Sequence, residues 1–298
     1  MDGVLLIDKP SGLTSHDVVA RLRRSSGQRS IGHTGTLDPR ATGLLPLVLG
    51  RATRLAPFLS GRDKTYEATI RLGWFTDTDD ADGDPVGEVS ERRPDDGELA
   101  VALAEFTGPI EQTPPRHSAK KLGGRRAYEL ARRQQEFALA PVPVTVHELT
   151  LTGREPDTVS LRVCASTGFY VRALARDLGR RLGCGAHLTA LRRTHSGPFD
   201  LADAITLDEA ERLGPAVAER LVRPADALPD LPAVELTAGG LKRVVHGNPV
   251  GPEHLAGQWV PPSTAAGPVR LLAPDGQLVA LGRSRGGALH PAVVLGYH

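Results

Sequence analysis

One carboxylate stands alone in a constrained loop. Residues 32–43 read Gly32-His33-Thr34-Gly35-Thr36-Leu37-Asp38-Pro39-Arg40-Ala41-Thr42-Gly43, and Asp38 is the only acid among them. Glycine permits positive φ and close backbone approach, while proline fixes φ, so the stretch is a shaped turn rather than a linker. Taken alone, Asp38 has two readings: a reactive carboxylate on a rigid mount, or an Asx turn before proline. A second acidic group, Asp77 to Asp84, suggests calcium. With Gly83 at the sixth position of an EF-hand loop, the first ligand falls on Thr78 and the twelfth on Val89. Neither is a carboxylate, so the reading fails. Gly27-Gln28-Arg29-Ser30-Ile31-Gly32 begins like a phosphate-binding P-loop, but His33 stands where lysine is required. The only cysteines, Cys164 and Cys184, form neither a C-x-x-C pair nor a disulfide framework. No metal or cofactor is expected.

The elements that must carry these residues follow from periodicity. Residues 4–7 (Val-Leu-Leu-Ile) and the apolar run 44–49 read as buried strands. Between them, Thr14 and Asp17 make a capping-box pattern for a helix with Val18, Val19 and Leu22 on its apolar face. Residues 63–72 alternate, with Tyr66, Ala68, Ile70 and Leu72 on one side, and residues 145–151 and 158–165 also predict strands. Leu99, Ala102, Leu103 and Phe106 share a helix face. A helix is predicted from Tyr170 to Gly183, with Arg172, Arg176 and Arg180 in a stripe away from its apolar side. A strand over 188–194 and a helix capped by Thr206 follow. Prolines 224, 229 and 232 mark a boundary near residue 231. Beyond it, Asp275-Gly276 between two apolar runs signals a hairpin in a small β-rich module.

The 298 residues are enough for about two domains. Net charge is only +1, yet the charges segregate. Residues 76–98 are acidic, whereas 116–133 and 170–193 are rich in arginine and lysine, which suggests a polyanion-binding face. The N-terminus lacks a signal-peptide pattern and no apolar run approaches membrane-spanning length, so a soluble, cytoplasmic protein is expected. Nothing in the sequence demands more than a monomer.

Several separated motifs resemble one family in order. Ile7-Asp8-Lys9-Pro10-Ser11-Gly12 with Thr14-Ser15 resembles the opening of TruB-type tRNA pseudouridine synthases. The loop 32–43 is similar to their catalytic motif, and Asp63-Lys64-Thr65-Tyr66 to the strand bearing their active-site tyrosine. Leu72-Gly73 with Thr76-Asp77-Thr78 and Asp80-Ala81-Asp82-Gly83, then Ser118-Ala119-x-Lys121 and Gly168-x-Tyr170-Val171-Arg172, continue the match. Residues 182–188 and Leu191-Arg192-Arg193 complete it over about 1–230. The tail, 231–298, is similar to a reduced PUA domain, a small RNA-binding β-barrel.

The resemblance implies a mixed α/β (α+β) pseudouridine synthase fold: a curved, largely antiparallel sheet flanked by helices, plus the PUA-like domain. It implies a tRNA partner, recognised at the T-arm, and conversion of uridine to pseudouridine at conventional position 55 after base flipping. It places the catalytic carboxylate at Asp38, its ionic partner at Arg172, and a base-stacking tyrosine that assists proton removal at Tyr66. Tyr170 and Leu191 would shape the uracil pocket, His33 would contact the rearranged loop, and Lys121 would bind RNA from an insertion over about 116–145. His117 departs from the aromatic residue the family often carries there. The chemistry suits a lone carboxylate. Breaking the N1–C1′ bond places positive character on the sugar, which Asp38 can meet as nucleophile, electrostatic partner or 2′ base. An RNA-folding factor with incidental catalysis is the alternative. A metal hydrolase using the acidic stretch is disfavoured by the failed ligand spacing.

Overall fold

The computed structural model describes residues 1–118, 120–122, 125–127, 137–257 and 267–297. Its centre is a ten-stranded sheet. In spatial order the main path runs Ile205–Thr206, Gly3–Lys9, Thr42–Leu49, Ala186–Ser196, Lys64–Leu72, Thr158–Ala165, Val142–Arg154 and Gly108–Gln112. Ile31–His33 pairs with Thr42–Leu49, and Phe199–Asp200 pairs with Ala186–Ser196. The sheet is largely antiparallel. Parallel pairing occurs where Ile7 meets Ile205 and where Thr42 and Gly43 meet Arg192 and Arg193.

The predicted alternation of residues 63–72 appears as the strand Lys64–Leu72, in which Ala68, Ile70 and Leu72 are buried. They pack with Leu161, Val163, Leu174 and Leu178, which joins this half of the sheet to the helix Val171–Leu182. That helix spans the predicted range and ends at Gly183 in the left-handed conformation (φ 67°). A second core, with Leu5, Ile7, Leu45 and Leu47, lies under the helix Ser15–Ser26. The capping box read from Thr14 and Asp17 is present in full: Asp17 N–H donates to Thr14 Oγ1, and Asp17 Oδ2 accepts from Thr14 N–H. An equivalent box formed by Asp95 and Glu98 starts the helix Asp96–Glu105.

The tail forms a separate four-stranded sheet, ordered Ala233–Glu235, Val269–Leu272, Leu278–Arg285 and Ala288–Val294. The hairpin signalled by Asp275-Gly276 joins the second and third strands. Leu278, Leu281 and Leu295 pack with Val4, Leu6, Leu44 and Val48, so the tail shares a core with the strands that carry the loop. Among the described residues, no helix is long and apolar enough to cross a membrane. The predicted insertion over about 116–145 lies partly outside the described residues.

Candidate active site

The loop between Ile31–His33 and Thr42–Leu49 is fixed from several sides. Leu37 N–H donates to Ser15 Oγ at 2.9 Å, and the hydroxyl donates back to Leu37 O. Gly12 N–H donates to Pro39 O at 2.8 Å, and Ser11 Oγ donates to Arg40 O. Lys9, fully buried, spends its ammonium protons on Pro10 O (2.9 Å), Leu13 O (2.7 Å) and Pro39 O (3.2 Å). Burial holds Lys9 at about 8, below its ordinary 10.5, against the pull of nearby Asp38. Leu37 and Ala41 are buried on either side of Asp38, whose side chain stays 42% exposed. The sequence motif at 7–15 is therefore the clamp of the loop at 34–41.

Arg172, from the first turn of the helix Val171–Leu182, reaches that loop. Its Nε lies 3.0 Å from Asp38 Oδ2, and its Nη1 lies 3.6 Å from Asp80 Oδ2. It also donates to Thr78 O and His117 O. The side chain is only 7% exposed. Withdrawal from water raises the Asp38 pKa above the ordinary carboxylate value; Arg172 opposes the rise and Asp80 adds to it. Arg176, one turn on, pairs with Asp79 at 3.0 Å and with Asp177 at 2.9 Å. The arginine stripe predicted away from the core is thus buried in its first two members. The acidic stretch covers it: the Asp79-Asp80 turn is tied to the sheet by Leu188 N–H to Asp79 O and Ala81 N–H to Leu188 O.

A cleft of about 20 Å³ is lined by Asp38, Arg40, Asp80, Arg172 and Leu191. Tyr170 stands close enough to Asp38, Arg172 and Tyr66 to feel their charges, and burial pushes its phenol pKa up. Its backbone is gripped by Gln112, which accepts from Tyr170 N–H at 2.8 Å and donates to Tyr170 O at 3.1 Å. Tyr66 and Leu191 both pack where the two cores meet, and the Tyr66 phenol oxygen is within hydrogen-bonding reach of Arg193. Arg193 is 1% exposed, donates to Leu44 O (2.7 Å) and Gly35 O (3.0 Å), and so ties Tyr66 to the loop.

Asp38, Tyr66, Tyr170, Arg172 and Leu191 thus converge. His33 does not line the cleft; its ring meets that of His16 edge-on at 5.3 Å. The Lys121 side chain lies outside the described residues. The sequence reading gave no role to Asp80, Gln112, Lys9 or Arg193. A signal existed for the first: Asp79 and Asp80 are adjacent acids, and Arg172 and Arg176 are one helical turn apart.

A loop carboxylate held by a buried arginine, on a largely antiparallel sheet with helices, matches one class of RNA-modifying isomerase. The chain belongs to the TruB family of pseudouridylate synthases: it matches "TruB family pseudouridylate synthase (N terminal domain)" over residues 23–171 and "tRNA pseudouridylate synthase B C-terminal domain" over 172–228. It is 48% identical over 307 aligned residues to tRNA pseudouridine synthase B of Thermobifida fusca, covering 98% of each chain. It is 43% identical to the protein of that name from Dinoroseobacter shibae, over 99% of this chain and 95% of the other. Among solved structures, a chain of a Cbf5-Nop10-Gar1 complex superposes with a TM-score of 0.76 at 28% identity, over 98% of this chain and 84% of that one.

Proposed function

We propose that this enzyme converts the T-loop uridine at conventional tRNA position 55 to pseudouridine, with Asp38 as the catalytic carboxylate. Pseudouridine formation in tRNA follows from the family and its named relatives; the position and the residue roles are the proposal. The observation that carries it is the Asp38–Arg172 pair, at 3.0 Å, opening on a cleft shared with Leu191. When the N1–C1′ bond breaks, its electron pair leaves with uracil and C1′ becomes electron-poor. Asp38, paired with a buried arginine that favours its ionised form, is placed to meet that charge. It does so by bonding to C1′ or by taking the 2′ proton. After uracil turns, C5 bonds to C1′ and loses its proton, for which Tyr66 is the nearby oxygen base.

Target atoms inside a folded T-loop are hidden, so the nucleotide must leave the stack to react. We assign residues 1–230 to catalysis and 231–298 to RNA binding, with Lys121 and His33 as RNA contacts. The reading describes a cytoplasmic monomer that needs no cofactor. The test is incubation with an unmodified T-arm RNA and base-resolved detection of pseudouridine. The wild type should modify position 55, and Asp38→Asn should bind RNA without isomerising it. Wild-type-rate turnover by that variant overturns the assignment of Asp38. A folding-factor role is separated by the same variant, which would then keep its cellular function.

A further inference from the structure

The cleft that must admit a nucleotide is lined by carboxylates and nearly shut. Its volume of about 20 Å³ is room for about one water and too little for a nucleobase. The cations lining it are Arg40 and Arg172. Arg172 is buried and already holds two carboxylates and two carbonyls, so it has nothing to offer a phosphate. Arg40 is different. Its backbone is fixed through Arg40 O to Ser11 Oγ, while its side chain is 57% exposed. Arg40 Nε pairs with Asp82, itself 48% exposed. Asp82 follows the cleft-lining Asp80 by two residues, and its N–H donates to Asp80 Oδ1. The ion pair therefore joins the two walls of the cleft.

We infer that Arg40 is the residue that takes a backbone phosphate flanking the flipped nucleotide, and that Asp82 holds its place in the free enzyme. The inference rests on RNA being the substrate. An exposed carboxylate on an arginine is a weak partner, and a backbone phosphate carries the same single negative charge on two oxygens that a guanidinium can bind together. Exchange of Asp82 for phosphate neutralises the incoming anion. It also removes one tie between the walls, while Arg172 keeps its hold on Asp38 and Asp80. The neighbouring carboxylates leave no other exposed cation on the lining to do this.

The test compares wild type, Arg40→Gln, Arg40→Lys and Asp82→Asn on T-arm RNA at several salt concentrations. It adds an RNA carrying a neutral methylphosphonate on either side of the target uridine. Arg40→Gln should lower kcat/KM about tenfold at low salt, mostly through KM. It should also flatten the log–log salt dependence by about 0.7–0.9, the value of one phosphate contact. Arg40→Lys should keep the slope and lose part of the affinity. Asp82→Asn should improve KM by up to about fivefold, since it removes a competing surface ion pair. One of the methylphosphonate RNAs should cost the wild type what Arg40→Gln costs, and cost that variant nothing more. If Arg40→Gln stays within twofold of wild type, if the two losses multiply, or if Asp82→Asn weakens binding, the inference is wrong. A wild type that forms no pseudouridine in the T-arm refutes the proposed function instead.

Discussion

Raising the pH through 8 should inactivate the enzyme while making it more stable, and Lys9 is the reason for both. Its ammonium has three protons and three carbonyl acceptors, Pro10 O, Leu13 O and Pro39 O. The neutral amine has only two protons. The longest bond, 3.2 Å to Pro39 O, is the one that ties the loop beside Asp38, and it is the first to go. A hydrogen bond from a charged donor is worth about 1.5–3 kcal/mol. Freeing the loop by that amount should cost on the order of tenfold or more in rate between pH 7 and 9.5.

Stability moves the other way. The unfolded chain keeps the lysine proton up to 10.5, and the folded chain only up to about 8. Between those values the unfolded state binds more protons, so folding gains as pH rises. At about 1.36 kcal/mol per pH unit, the gain across the window approaches roughly 3 kcal/mol for this side chain. Lys64 sits at about 8 for the same reason, but its amine binds Ser60 O and Arg62 O, not the loop. The assay is single-turnover pseudouridine formation and urea unfolding at matched pH. The difference between wild type and Lys9→Met isolates the Lys9 contribution to the stability slope. Lys9→Arg, which does not titrate here, should remove the alkaline loss of rate, and Lys64→Arg should not. A rate that is flat through pH 9.5, or an alkaline limb that survives in Lys9→Arg, refutes the reasoning.

Three further outcomes follow from the geometry. Gly43→Ala places a Cβ 2.3 Å from Arg193 O at φ +95°, which should cost about 2–4 kcal/mol in urea unfolding through strain and lost sheet pairing. Arg172→Met leaves Asp38 and Asp80 facing each other without their cation. It should destabilise by about 3–5 kcal/mol and displace the acid limb of the rate profile to higher pH, because Arg172 opposes the upward shift of Asp38. Gln112→Ala removes the acceptor of Tyr170 N–H and one of the two donors to Tyr170 O, which keeps Leu174 N–H; it should cost about 1–3 kcal/mol in urea unfolding, with a raised KM.

Local elements were legible because local chemistry decides them. The Thr14 and Asp17 cap, the Gly183 stop and the alternation around Tyr66 each depend on residues a few positions apart. The family motifs named Asp38, Tyr66, Tyr170, Arg172 and Leu191, and these do come together. What could not be read was pairing across long separations. Nothing local to Asp79 and Asp80 says that they meet a helix more than 90 residues later. Nothing in Arg193 says that it is buried with carbonyls and a phenol rather than exposed. Periodicity put Arg172 and Arg176 opposite the apolar face, which is correct. It could not show that a second, acidic layer covers that face.

That layer changes what the basic segment 170–193 means. Arg172, Arg176 and Arg180 pair with Asp38, Asp79, Asp80 and Asp177. Arg181 pairs with Glu105, and Arg192 with Asp8. Arg193 is buried. Half of the cluster that reads as a polyanion-binding face is buried, so Arg172, Arg176 and Arg193 are fasteners rather than phosphate contacts, while Arg180, Arg181 and Arg192 hold exposed ion pairs. The two roles have opposite signatures in salt. Loss of a fastener lowers stability or turnover and leaves the number of ions released on RNA binding unchanged. Loss of a phosphate contact reduces that number by about one. Arg176→Gln and Arg193→Gln, at buried positions, should therefore keep the wild-type salt slope, whereas Arg40→Gln should not. If the helix and strand variants flatten the slope as much as Arg40→Gln does, these arginines exchange their partners for RNA, and the division between fasteners and phosphate contacts fails.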